Sequence, residues 1–129
     1  MKLFILLFIL PIILSSGCRD FSQSDISRYY DKYSQCDGAN CDYLCDSLLH
    51  TLIQSPDNFI LASVANSLSY QKWLRNIEDC GFVDYSNSNG QSLLLKKEMT
   101  IKAISSAKTS SIKTELLNKF KTINIRIID

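Results

Sequence analysis

Asn40-Cys41-Asp42-Tyr43-Leu44-Cys45-Asp46-Ser47-Leu48-Leu49-His50-Thr51-Leu52-Ile53 is the stretch that decides the fold. Cys41, Leu44, Cys45, Leu48, Leu49, Leu52 and Ile53 recur at the i, i+3, i+4, i+7 spacing of one helical face, so the segment reads as an amphipathic α-helix capped by Asn40. Cys41 and Cys45 share the inward stripe with the leucines. His50, the one histidine of the chain, falls on the opposite, solvent side.

The neighbours of this segment repeat its logic. Ser55-Pro56-Asp57 stops one helix and starts the next, with Ser as cap, Pro in the first turn and Asp near the positive helix end. Phe59, Ile60, Ala62, Val64, Ala65 and Leu68 make that next helix apolar around much of its girth, the candidate for the most buried one. Ser69 is placed to cap a third helix carrying Tyr70, Trp73, Leu74 and Ile77 on one face, with Cys80 closing it and Gly81 as a left-handed C-cap.

Upstream, Ser24 or Asp25 can cap a helix with Ile26, Tyr29, Tyr30 and Tyr33 at helical spacing, the rings packing against the core edge. Downstream, Tyr85 to Gln91 is a polar loop, Leu93 to Ala107 is helical with a blurred apolar pattern, and Ile112 to Phe120 gives a last helix. Ile123-Asn124-Ile125-Arg126-Ile127 alternates with period two but has no strand partner in the sequence, so it is expected to pack as coil or to pair with another chain. The expectation is an all-α domain of about five helices over residues 25–129, a bundle or a short stack.

The chain begins with Lys2, an unbroken apolar run from Leu3 to Leu14, and Ser15-Ser16-Gly17-Cys18. That run is shorter than the ~18 residues a spanning helix needs and has the build of an export signal. Leu14-Ser15-Ser16-Gly17-Cys18 resembles the lipobox of bacterial lipoprotein precursors, an aliphatic residue, two small residues and Cys. Ser16, Gly17 and Cys18 match it, and Ser15 stands where Leu is commonest. The resemblance implies a signal peptide over 1–17 and a lipidated N-terminus and tether over 18–24. Membrane lipid would be attached through Cys18, placing the protein in the cell envelope. Arg19 in place of Asp after the cysteine favours the outer over the inner membrane. The alternative is an ordinary secretory signal, which leaves a secreted or periplasmic protein with Cys18 as a half-cystine.

Five cysteines leave one over in an oxidising compartment. Lipidation of Cys18 resolves the parity and leaves Cys36, Cys41, Cys45 and Cys80 for two disulfides. Cys41 and Cys45 lie stacked along one helix and are poorly placed to bond each other, so each should take one of the other two. Cys36 and Cys41 flank the Asp37-Gly38 turn, which favours Cys36–Cys41 with Cys45–Cys80; Cys36–Cys80 stays open. The same four thiols as a zinc site is the weaker reading, because oxidation competes and the spacing matches no familiar knuckle.

Removing the first 17 of 129 residues leaves 112, enough for one small core. The remaining chain carries 13 basic and 13 acidic residues, which argues against nucleic acid as partner. Charge is nevertheless split: five basic and ten acidic residues over 18–92 give −5, and eight basic and three acidic over 93–129 give +5. The two halves either face one another or solvate separately, or the basic half steers an acidic partner.

No catalytic motif is present: there is no HExxH, GxSxG, GxGxxG or Walker loop. Asp42 with Asp46 and Glu78-Asp79 read as solvated carboxylates. No catalytic residue, cofactor or metal ligand is expected, and the chain is read as a non-enzyme. Residues 41–80, with helices joined at Ser55-Pro56 and then Phe59 and Trp73-Leu74, resemble the helical pairs of HEAT-type repeats, which implies an exposed face that binds another protein. The expected function is a membrane-anchored protein-binding lipoprotein, for example an immunity or inhibitor protein. The alternatives are a structural or assembly subunit of an envelope complex, or a hydrolase with an unfamiliar site around Asp84 and the polar loop.

Overall fold

The computed structural model describes residues 20–85 and 90–128. The expected signal peptide, Cys18 and positions 86–89 of the polar loop lie outside them. Among the described residues there are six helices: α1 (Gln23–Gln35), α2 (Ala39–Gln54), α3 (Pro56–Ala65), α4 (Ser67–Gly81), α5 (Gln91–Ser106) and α6 (Ser111–Thr122). The protein is all-α apart from two short strands, β1 (Val83–Asp84) and β2 (Arg126–Ile127).

The domain starts earlier than residue 25. Ser22, rather than Ser24 or Asp25, caps α1: its hydroxyl accepts the Asp25 amide at 3.1 Å while the Asp25 carboxylate accepts the Ser22 amide at 3.2 Å. Asp25 sits three residues on, where a carboxylate completes that reciprocal pair. Just before it, Phe21 is buried; its amide donates to Ser55 Oγ at 2.8 Å and its carbonyl accepts from Asn58 Nδ2 at 2.9 Å. Residues 20–24 are therefore part of the folded unit, and the expected tether over 18–24 shrinks accordingly. Ile26, Tyr30 and Tyr33 form the inward face of α1.

The seven-residue stripe of α2 behaves as its spacing demands. Cys45, Leu48, Leu49 and Leu52 are buried, and Cys41, Leu44 and Ile53 are half-buried around them. The helix begins one residue before the expected Asn40 cap, entered through Gly38 at φ +56°. It packs against α1, α3, α4 and α5, and α3 in turn touches all five other helices, so the two share the centre of the domain. Contact of α2 with α5 and of α3 with α6 joins segments far apart in sequence, which makes this a bundle; in a linear stack each pair meets only its neighbours.

Helix α3 buries Phe59, Ile60, Ala62 and Ser63 but leaves Leu61 and Val64 exposed, because its neighbours cover one side only. Asn66, rather than Ser69, precedes α4; its amide nitrogen donates to the Ala62 carbonyl at 2.8 Å and to Ser27 Oγ at 3.1 Å. Tyr70, Trp73, Leu74 and Ile77 are buried as expected. Gly81 is helical, and the positive-φ C-cap expected there does not form. A Cβ at this position would stand 3.2 Å from Ile77 Cδ1 and 3.5 Å from Leu49 Cδ2, so what Gly81 supplies is room. Trp73 lies at the centre, its ring centroid 5.1 Å from Phe59, 6.4 Å from Tyr70 and 6.2 Å from Phe120. That cluster welds α3, α4 and α6 together.

The alternating run at the C-terminus is not coil. β2 pairs in parallel with β1, Val83 opposite Arg126 and Asp84 opposite Ile127. Its partner follows α4 by a single residue and is two residues long, too short for a period-two pattern to show. A parallel pair needs a long crossover, and α5 and α6 supply it.

Burial sets an alkaline limit on this core. Tyr30 is fully buried with its hydroxyl 2.7 Å from Ser63 Oγ. Loss of solvent pushes its phenol far above the usual value, against a smaller opposite effect of the Ser63 hydrogen bond. Burial also raises the Tyr70 phenol, and its donation to Glu115 at 2.7 Å together with that carboxylate's charge raises it further. The unfolded chain releases these protons above about pH 10 while the folded protein keeps them. Stability is accordingly full below that pH and falls as pH rises through it. We expect urea midpoints to decline above about pH 10 and the decline to be shallower in Tyr30→Phe; parallel curves for the two proteins would contradict this origin.

Candidate functional site

The four cysteines expected to bond do so as Cys36–Cys41 and Cys45–Cys80, with Cα separations of 5.2 and 6.3 Å. The first closes the α1–α2 turn and the second clamps central α2 to α4. Among the described residues no cluster of His, Cys, Asp and Glu is arranged to hold a metal ion.

His50 is exposed as expected, and its ring stands edge-on to Phe21 at 5.8 Å. It lines an open groove with Tyr29, Tyr43, Asp46 and Ser47. Asp84, singled out for a hydrolytic site, is buried and its carboxylate accepts the Gly90 amide at 2.9 Å, so it holds the two ends of the 85–90 loop together. Of the paired carboxylates, three are engaged across the fold, and Asp42 is exposed as expected. Asp46 pairs with Lys96, Asp79 pairs with Arg126, and Glu78 accepts the Asn124 amide at 2.7 Å. Both ion pairs join the acidic part of the chain to the basic part, so the charge split reflects two surfaces that meet.

One feature of the surface stands out. Tyr85, Leu94, Leu95, Met99, Ile127 and Ile128 are exposed, Tyr85 at 77% and Leu95 at 57%. Asp84 lies opposite Ile127 and its carbonyl accepts the Ile128 amide at 3.0 Å, which brings Tyr85 beside Ile128 on the face of the strand pair opposite to Ile127. Gly90, at φ +69°, opens α5, and a side chain there would meet Ile125 at 3.1 Å and Ile127 at 3.7 Å. Ile127 thus lies on the first turn of α5, next to Leu94, whose amide donates to the Gly90 carbonyl at 2.9 Å. Leu95 and Met99 are one turn apart and continue the apolar surface along α5.

The sequence did carry a signal for this patch. Leu93-Leu94-Leu95 are consecutive, and no helix face buries three residues in a row, so at least one had to point outward. In β2 the Arg126 and Ile128 amides face β1, and the Ile127 amide faces the outer edge of the pair. Among the described residues no third strand covers that edge. An apolar patch beside an open strand edge suits protein contact.

No helix among the described residues is long and apolar enough to cross a membrane. No protein-family model, curated protein or solved structure matches this chain.

Proposed function

We propose that the protein is an envelope lipoprotein, held to a membrane through Cys18, whose helical domain binds another protein without catalysing a reaction. The observation that carries the binding reading is the exposed apolar run of Leu94, Leu95 and Met99 along α5, with Ile127 against its first turn, on a disulfide-tied scaffold. Four large apolar side chains on adjoining turns of one helix and the strand against it exceed the scattered exposure expected of an idle surface. Lys2, the apolar run and Ser16-Gly17-Cys18 support the anchor, as does the pairing of the other four cysteines, which leaves Cys18 as the odd one. The concrete form we favour is a protective protein that neutralises an incoming toxin or hydrolase at the outer membrane.

A photo-crosslinking residue introduced at Leu94, compared with one at Arg75 on the exposed side of α4, tests the binding reading in cells. A single protein captured at Leu94 alone is expected, and rescue of cells poisoned by that protein establishes protection. Stoichiometric capture of a resident envelope protein would instead make this a subunit of a complex, and equal capture at both positions would remove the patch as the site. Cys18→Ser tests the anchor. The variant is expected to leave the membrane fraction and to keep its signal uncut or be cut elsewhere; normal processing and membrane retention would overturn lipidation.

A further inference from the structure

The C-terminal run from Ile123 to Ile128 turns its backbone alternately to two sides. The amides of Asn124, Arg126 and Ile128 donate inward, to Glu78 Oε1 at 2.7 Å and to the Phe82 and Asp84 carbonyls at 3.0 Å each. In an extended chain the residues between them direct their N–H and C=O groups to the other side. There the Ile123 carbonyl accepts from Lys97 Nζ at 2.8 Å, whereas among the described residues nothing bonds the outward groups of Ile125 and Ile127. The open edge thus offers the N–H and C=O of alternate residues at the spacing of a strand ladder. Resting on the reading of the Leu94 surface as a binding site, we infer that its partner supplies an extended, acidic segment that pairs with the outer edge of β2 as a third strand.

The ground beside this edge suits such a segment. A side chain at Gly90 would meet Ile125 and Ile127, Lys97 reaches Ile123, and Leu94 lies between Gly90 and Lys97 on the same face of α5. The first two turns of α5 therefore run alongside β2, and Leu94 is the exposed apolar side chain of that row. A strand added to the edge would extend over it, with alternate side chains resting on Leu94 and the others facing solvent. In this mode backbone pairing supplies affinity, and the surface beneath the alternate side chains supplies selectivity.

Charge selects the occupant. Residues 91–128 carry eight basic and two acidic side chains, and the ion pairs to Asp46 and Asp79 engage Lys96 and Arg126. Lys97 stands at one end of the open edge, and Lys119 and Lys121 lie in the last turn of α6, which leads into the run. Glu98 is the single carboxylate of α5. A second copy of this chain would bring the same lysines to the contact, so the fit is to a different chain whose carboxylates flank its apolar residues.

The test uses the mature protein and three short synthetic peptides: alternating Val and Glu, alternating Val and Lys, and the Val–Glu peptide methylated on its backbone nitrogens. The last keeps the side chains and loses the N–H donors. Fluorescence anisotropy is expected to show the Val–Glu peptide binding at least about tenfold tighter than either control, and amide exchange at Ile127 is expected to slow in its complex. Ile127→Pro removes the outward N–H and should weaken that binding by about tenfold, the weight of one hydrogen bond, while Ile127→Ala should retain most of it. Equal binding of the methylated peptide would overturn strand pairing, and equal binding of the Val–Lys peptide would overturn the acidic occupant. Val–Glu binding lost in Leu94→Ser but unchanged in Ile127→Pro would also overturn strand pairing, and would leave the surface a binding site. No binding by any of the three would overturn the inference, and crosslinking at Leu94 in cells then decides the binding reading by itself.

Discussion

Trp73→Ala is expected to lower stability by about 3–5 kcal/mol, the range for emptying a large aromatic site in a packed core. Trp73 is fully buried, packs against Phe59, Tyr70 and Phe120, and donates its indole N–H to the Cys45 carbonyl at 3.0 Å. Three helices lose their shared contact at once, and the rings around the void come from different elements that cannot all move inward. A domain of this size is stable by roughly 5–15 kcal/mol, so the loss is a large share of the total. Urea unfolding of the oxidised protein reads it directly. Trp73→Phe should fall between wild type and Trp73→Ala, since it keeps a ring but abandons the hydrogen bond. Leu68→Ala is the control: Leu68 is 87% exposed, and its removal should change stability by no more than about 0.5 kcal/mol. A Trp73→Ala midpoint close to wild type would mean the aromatic cluster does not organise the core.

The helical faces were legible because burial enforces period: the stripe of α2 and the Tyr70–Ile77 face of α4 read correctly from spacing alone. Helix starts were less legible. Ser22, Gly38 and Asn66 lead into the helices where the sequence points to Ser24 or Asp25, Asn40 and Ser69, because several residue types can cap and the choice depends on which backbone bends. The strand pair escaped because β1 is two residues long and its partner is distant in sequence. Shortness erases periodicity. The binding patch was half visible: three consecutive leucines announce an exposed apolar residue, but only the fold shows that Ile127 lies against the start of their helix. The burial of Phe21 was hidden for another reason, since a lone aromatic in a serine-rich stretch carries no pattern. The acidic and basic halves of the chain, by contrast, foretold the Asp46–Lys96 and Asp79–Arg126 pairs in kind if not in detail.

Removing the Cys45–Cys80 bridge should cost about 4 kcal/mol, and removing Cys36–Cys41 about 2 kcal/mol, because the loop-closure entropy withheld from the unfolded chain grows with the length bridged. The sequence separations are 35 and 5. Cys45 adds a packing contribution, being 1% exposed on central α2, whereas Cys36 and Cys41 are both half-buried at the edge of the core. The paired substitutions Cys45→Ala/Cys80→Ala and Cys36→Ala/Cys41→Ala avoid leaving a lone thiol. Urea midpoints should drop more for the former, and a larger loss from the Cys36–Cys41 pair would refute the loop argument. Together the two bridges contribute about 6 kcal/mol, comparable to the entire net stability of such a domain. The chain without its first 17 residues, made in a reducing cytoplasm, is therefore expected to be protease-sensitive, and the same chain exported to an oxidising compartment to resist. Equal resistance in the two locations would show that the helical core is self-sufficient and that the bridges only reinforce it.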